Sequence, residues 1–145
     1  MTLEDLIAMW DTDSDIDSDH LDRVSVTNNK LHGKYLRILM DAKGKLLSLQ
    51  NSYNLLRQKK FRYYRGECTQ AELLENGWPQ WQGIKPLKNE MEEWLAGDAD
   101  LNRLTLKMNY VKLMIETTES IMGQIKARDW QVKNAIAFKV FLAGG

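Results

Sequence analysis

Residues 101–125 read LNRLTLKMNYVKLMIETTESIMGQI. Within them Leu101, Leu104, Met108, Val111, Ile115, Thr118, Met122 and Ile125 recur in alternating steps of three and four. That spacing lays one apolar seam along an α-helix, the a/d pattern through which helices pair. A second stretch answers it: Leu31, Tyr35, Ile38, Ala42, Leu46, Leu49, Tyr53 and Leu56 step likewise, with a second consecutive four-residue step from Ala42 to Leu46. No proline interrupts residues 20 to 65. The two prolines, Pro79 and Pro86, fall in the clearest loop, Gly77-Trp78-Pro79-Gln80-Trp81-Gln82-Gly83-Ile84-Lys85-Pro86. Packing the two stripes antiparallel predicts an all-α fold, an elongated helical hairpin of two long helices. Leucine outnumbers valine 20 to 5, which favours helix over strand.

Beyond the two stripes, the chain of 145 residues reads as one helical domain. Residues 1–19 form an acidic N-terminal segment, with a short amphipathic helix over 3–10 and Ser18 or Asp19 as N-cap for the next helix. Residues 20–66 form a basic long helix. Gly33 and Gly44 each weaken it by ~1 kcal/mol and could kink it, and Gly66 stops it. Residues 67–98 hold short helices and the loop. Thr69 is an N-cap with Glu72 three residues on, a capping box. Leu87 to Ala96 reads as helix ending at Gly97, and Asp98 caps the second long helix over 99–127. A break near Arg128–Asp129 precedes a last helix within 128–145.

Acidic and basic residues balance, 20 against 20, but their distribution does not. Residues 1–22 carry Glu4, Asp5, Asp11, Asp13, Asp15, Asp17, Asp19 and Asp22 and no base. Residues 23–65 carry eleven bases against one acid, Asp41, a charge of +10. Such a segment attracts a polyanion. Equally, the acidic head could neutralise the basic helix within the molecule or between subunits.

Several chemistries are excluded by absence. One cysteine, Cys68, and two histidines, His20 and His32, argue against a disulfide or a zinc site. There is no phosphate-binding Gly-x-x-x-x-Gly-Lys loop and no nucleophile with an orienting base. Glu90, Glu92 and Glu93 sit too close along a helix to converge. The reading is therefore no enzyme, no cofactor and no metal. Without an apolar run of membrane-spanning length or a signal peptide, a soluble intracellular protein is expected.

What remains is a basic-aromatic tract, Arg57-Gln58-Lys59-Lys60-Phe61-Arg62-Tyr63-Tyr64-Arg65-Gly66. Cations that track phosphates and rings that stack on bases are how single-stranded nucleic acid is held. Arg57, Lys59, Lys60, Arg62, Tyr63, Tyr64 and Arg65 are the candidate contacts. On a helical projection Lys30, Lys34, Arg37, Lys45, Lys59 and Arg62 fall within about 100° of one another, so Lys34 and Arg37 extend the candidate track. The bland alternative is that Phe61 and a tyrosine close the core and the bases are a solvated face. Trp78 and Trp81 read as anchors of the Pro79 loop. In the last helix Trp130, Ala137, Phe138 and Phe141 cover one side, while Val132, Ile136 and Val140 cover much of the other. A helix apolar on most sides must be buried on more than one. Trp130, Ile136, Ala137, Phe138, Val140 and Phe141 are thus candidate oligomerisation residues, unless the helix tucks into its own hairpin.

A family resemblance rests on the order of several short matches. Leu3-Glu4-Asp5-Leu6, Ile16-Asp17-Ser18, Leu21, Asn28-Asn29 and Lys34-Tyr35-Leu36 stand at the start. Glu90-Met91, Leu95, Asp98, Asp100, Leu104, Tyr110, Ile125-Lys126, Arg128, Lys133, Phe141 and Ala143-Gly144 come in the C-terminal half. Together they resemble the UvsY-type recombination mediators of T4-like phages. The family's motif Lys-Ala-Arg-Leu-Asp-Tyr-Tyr-Ser-Gly corresponds to Gln58 through Gly66: Tyr63, Tyr64 and Gly66 match, and Lys60 keeps a positive charge. Gln58 replaces the first Lys, with Lys59 adjoining, and Arg62 replaces an Asp.

The resemblance implies a small helical protein in the cytoplasm of an infected bacterial host, assembling into rings of about six or seven subunits through its C-terminal segment. It implies binding of single-stranded DNA and loading of a RecA-like recombinase in place of the single-strand-binding protein. From the residues alone a second class stands beside it: a scaffolding helical protein that self-assembles by docking its acidic head on a neighbour's basic helix.

Overall fold

The computed structural model describes residues 1–144, and all regular secondary structure among them is helical. The elements are α1 (Leu3–Asp13), α2 (Leu21–Tyr64), α3 (Gln70–Asn76), α4 (Met91–Ala96) and α5 (Ala99–Leu142). Each boundary has a local cause. Thr2 opens α1 with a reciprocal box: its hydroxyl accepts from Asp5 N at 3.1 Å, and the Asp5 carboxylate accepts from Thr2 N at 2.9 Å. The helix outruns the expected end at residue 10, because Trp10 is still packed into the core. Into α2 the chain turns on Asp17, not on Ser18 or Asp19. The Asp17 carboxylate accepts from Asp19 N at 3.0 Å and meets His20 Nδ1 at 2.7 Å.

Gly33 and Gly44 interrupt nothing, and α2 is continuous through both. Buried Tyr35, Leu39 and Ala42 lie between them, and their packing outweighs the ~1 kcal/mol cost of each glycine. Thr69 caps α3 by accepting from Glu72 N at 3.2 Å. The other half of the expected box is missing, since the Glu72 side chain pairs with Arg62. Gly77 closes α3 in the left-handed region at φ 69°. Helix α4 starts at Met91 rather than Leu87. Leu87 is exposed and has no apolar anchor, whereas Met91 is buried.

The largest departure is in α5, which runs through the expected break at Arg128–Asp129. Arg128 is not punctuation there but a seam position, three residues after Ile125 and four before Val132. It is 5% exposed. Its guanidinium donates to the carbonyls of Asp13 at 3.0 Å and Asp15 at 3.4 Å. Asp129 accepts from Asn28 Nδ2 at 2.9 Å, and the same amide group donates to Ile125 O.

The chain divides into two compact units. The first comprises residues 1–44 and the chain from residue 111 onward. In it α2 and α5 run antiparallel, and α1 packs on both. Leu6, Tyr35, Met114, Ile121 and Ile125 form its core, flanked by Leu3, Trp10, Leu31, Ile38 and Met122. A second cluster joins Leu21 and Val24 to Val132. Tyr35 is fully buried; its hydroxyl donates to Asp13 at 2.9 Å, and its ring meets Trp10 edge to face at 5.6 Å. The second unit is residues 45–110. Its core is Met91, Leu95 and Leu101, against which Tyr53, Leu56, Phe61 and Tyr64 pack.

Candidate nucleic-acid interface

The basic-aromatic tract is the last turns of α2, in the second unit. The seam of three-four steps continues from Tyr53 and Leu56 into it and lands on Lys60 and Tyr63. Both are buried, at 5% and 8% exposure, although the sequence reading put them on the DNA-contacting surface. Lys60 Nζ lies 2.8 Å from Asp100 Oδ2 and 3.1 Å from Asp98 Oδ2. It also stands over the Trp78 ring at 4.3 Å. Asp98 brings further groups into this network. It accepts from the Tyr64 hydroxyl at 2.6 Å and, as N-cap of α5, from Leu101 N at 3.0 Å. Burial pushes the Asp98 carboxyl up, but the bonds from Tyr64, Leu101 and Lys60 more than offset it, so it titrates below its ordinary value. The Tyr64 phenol is pushed up, first by burial and then by Asp98.

The rings are engaged as well. Tyr63 packs on Tyr64 at 5.4 Å and on Trp78 at 5.2 Å. Tyr64 meets Trp81 at 4.9 Å, and Trp81 meets Trp94 at 5.5 Å. The Tyr63 hydroxyl donates to Pro79 O at 2.6 Å, tying the loop to the helix. Phe61 alone of the tract's rings stands outside this ring cluster, half-buried, with the Arg65 guanidinium 5.7 Å from its centroid.

The remaining tract cations divide into paired and free. Arg57 pairs with Glu92, Arg62 with Glu72 at 2.9 Å, and Arg65 with Glu67 at 3.1 Å. The hydrogen bond from Arg62 holds the Glu72 carboxyl below its ordinary range. Lys59 is exposed and has no ion pair or hydrogen bond among the described residues. In the first unit, Lys34 pairs with Asp13 at 2.7 Å, whereas Arg37 is exposed and free, as are Arg23, Lys30 and Lys43. Sequence reasoning passed over Lys85 and Lys88. Both are exposed on the segment before α4, and with Phe61 and Arg65 they line a cleft of about 490 Å³. Scattered single lysines in a loop carry no periodic signal, so nothing short of the fold could group them.

At the C-terminal end of α5 the apolar residues face outward. Trp130 is 72% exposed and Phe141 74% exposed, and Ile136, Ala137, Phe138 and Val140 are exposed too. Only Val132, with part of Ala135, packs inward on α2. Among the described residues no cluster of His, Cys, Asp or Glu could hold a metal ion, and no helix is long and apolar enough to cross a membrane.

These features define a class: an all-α protein of two long paired helices with a basic face, a ring-lined tract and an uncovered apolar end. The family described as "Recombination, repair and ssDNA binding protein UvsY" matches residues 9–145, and the chain belongs to it. The recombination protein uvsY of Enterobacteria phage T4 is 24% identical over 144 residues, 99% of each chain. Crystal structures of the bacteriophage T4 recombination mediator protein UvsY share the fold. One has a TM-score of 0.86 at 23% identity, covering 99% of this chain and 98% of that one. Another has a TM-score of 0.83 at 21% identity, covering 97% and 99%.

Proposed function

We propose that this protein is a recombination mediator: it binds single-stranded DNA and promotes loading of a RecA-like recombinase in place of the single-strand-binding protein, in the cytoplasm of an infected bacterial host. It performs no covalent chemistry and uses no cofactor. The observation that carries the reading is the set of solvent-facing, unpaired cations on α2: Arg23, Lys30, Arg37 and Lys43 in one unit, Lys45 and Lys59 in the other. Cations held away from carboxylates keep their full attraction for phosphate. Arg57 and Arg65 contribute by exchanging an exposed carboxylate for a phosphate, and Arg62 and Lys34 by exchanging the half-buried Glu72 and Asp13. Tyr64 and Tyr63 shape the tract from beneath.

Assembly follows from Trp130, Ile136, Ala137, Phe138, Val140 and Phe141. Their exposure supports a homo-oligomer, ring-like as in the family resemblance, in which a neighbour covers them. Several weak sites on one assembly then engage one strand at high effective concentration.

The test is fluorescence anisotropy of a labelled oligothymidylate at several salt concentrations, with duplex as control. Tight, salt-steep binding that favours the single strand is expected. Absence of binding at low salt refutes the reading.

The scaffold alternative needs the acidic head on a neighbour's basic helix, whereas Asp13 pairs with Lys34 within its own chain. Deleting residues 1–19 cannot separate the two, because Leu6 and Trp10 belong to the core. Replacing the exposed Asp11, Asp15, Asp17 and Asp19 with Asn does. A scaffold built on that charge dissociates in sedimentation, whereas a DNA binder keeps its assembly and binds DNA at least as tightly.

A further inference from the structure

The cleft beside the end of α2 combines the two chemistries that a nucleotide needs. Its cationic side is Lys85, Lys88 and Arg65, against the single carboxylate of Glu67, which Arg65 already engages at 3.1 Å. Lys85 and Lys88 have no ion pair or hydrogen bond among the described residues, so their ammonium groups are available to an anion. Its apolar side is Phe61, Pro86 and Met91. Phe61 is outside the packed cluster of tyrosines and tryptophans and has the cationic cleft beside it, whereas Tyr64 borders a separate cleft of about 420 Å³ with Trp81, Trp94 and the acidic Glu93 and no base.

Two backbone features keep the place open. Gly66 adopts φ +71°, and a Cβ there would come within 3.2 Å of Lys85 Cε. The left-handed turn favours glycine, and a side chain there would also press on the lysine stem. The carbonyls that end α2 are also occupied: Gly66 N donates to Tyr63 O at 3.0 Å and Glu67 N to Arg62 O at 3.0 Å. The negative end of the helix is thereby blunted toward an incoming phosphate.

We infer that this cleft is a nucleotide subsite: Lys85 and Lys88 hold a phosphate of a single strand while the adjoining base lies against Phe61, with Arg65 exchanging Glu67 for the phosphate. The volume, about 490 Å³, lies within the range of small-ligand sites. The inference rests on the proposed strand binding and adds residues outside the basic run of α2.

The experiment uses the full chain and oligothymidylate, with free thymidine triphosphate as a second probe. Both lysines are exposed, so the Lys85→Ala/Lys88→Ala variant should fold, and circular dichroism verifies it. Losing the one phosphate that the two lysines share is expected to flatten the slope of log K against log salt by about 0.7, at ~0.7 per phosphate. In parallel, wild-type protein is photo-cross-linked to an oligonucleotide carrying 5-iododeoxyuridine, and the modified peptide is expected to contain Phe61. An unchanged slope, or cross-links that all lie away from Phe61, overturns the subsite while leaving strand binding itself intact. Tight binding of the free triphosphate that oligothymidylate does not displace also overturns it, since the cleft would then serve a mononucleotide. If wild-type protein fails to bind oligothymidylate at low salt, the broader reading falls and takes the subsite with it.

Discussion

The basic residues of α2 behave differently in the two units. In residues 23–44 only Lys34 is engaged by an acid, and Arg23, Lys30, Arg37 and Lys43 point into solvent unpaired. In residues 45–65 the richer tract has been largely claimed. Arg57, Arg62 and Arg65 each hold a glutamate, and Lys60 is buried against two aspartates. Charge per residue is thus a poor guide to charge offered. The stretch that looks most like a binding motif commits most of its cations to holding its own unit together, and the plainer stretch keeps its cations free.

The sharpest break in this comparison should come from replacing one residue of each kind. Lys60→Met leaves Asp98, 4% exposed, without its cation, and removing one partner of a buried pair costs ~3–5 kcal/mol. Urea unfolding should register that loss, and Lys60→Met/Asp98→Asn should recover much of it. Arg37→Ala should change stability by no more than ~0.5 kcal/mol. If the two variants unfold alike, the distinction between engaged and free cations is wrong.

A second difference is in acid. Asp98 titrates below its ordinary value of 3.8, so around and below that pH the folded chain binds fewer protons than the unfolded one. Its contribution is complete above the unfolded pKa and is lost as pH falls through the lower, folded one. Urea midpoints taken between about pH 4 and pH 2 should drop for the wild type and drop less for Asp98→Asn.

On the binding side, Arg37→Ala and Lys59→Ala should each lower the salt slope for oligothymidylate by ~0.7. Lys60→Met, measured where its helicity is intact, should weaken binding without lowering the slope. The smallest effect is expected from Glu72→Gln. It releases Arg62 and should tighten DNA binding by roughly twofold to fivefold, as expected for an exposed pair of modest strength. Unaltered or weaker binding would mean that Arg62 does not exchange partners.

Much of the fold was legible because it is written in apolar spacing. The Thr69 and Asp98 caps and the stop at Gly66 appear where local rules put them, and the seam of residues 101–125 does so at Leu101, Thr118 and Ile125, while Met114 and Ile121 are buried in place of the neighbouring Ile115 and Met122. Two of the failures share one cause. At Lys60 and Arg128 the three-four period continues, but a charged residue occupies the step, and hydropathy stops reading there. Their partners lie far along the chain, Asp98 and Asp100 for one and the Asp13 and Asp15 carbonyls for the other. The same blindness made Arg128–Asp129 look like a break and made Lys60 look like a surface base. The exposed face of Trp130, Phe138 and Phe141 was one of two outcomes that the sequence left open, since a helix apolar on most sides could also have tucked into its own hairpin.

Asp98 links three things that usually form separately: the first turn of α5, the end of α2 through Lys60, and the ring cluster through Tyr64. A helix start tied in this way cannot fray by itself. The amide of Leu101, whose bond is to the Asp98 side chain, should exchange its hydrogen with solvent only when the whole of residues 45–110 opens, in place of the rapid exchange normal for a helix's first turn.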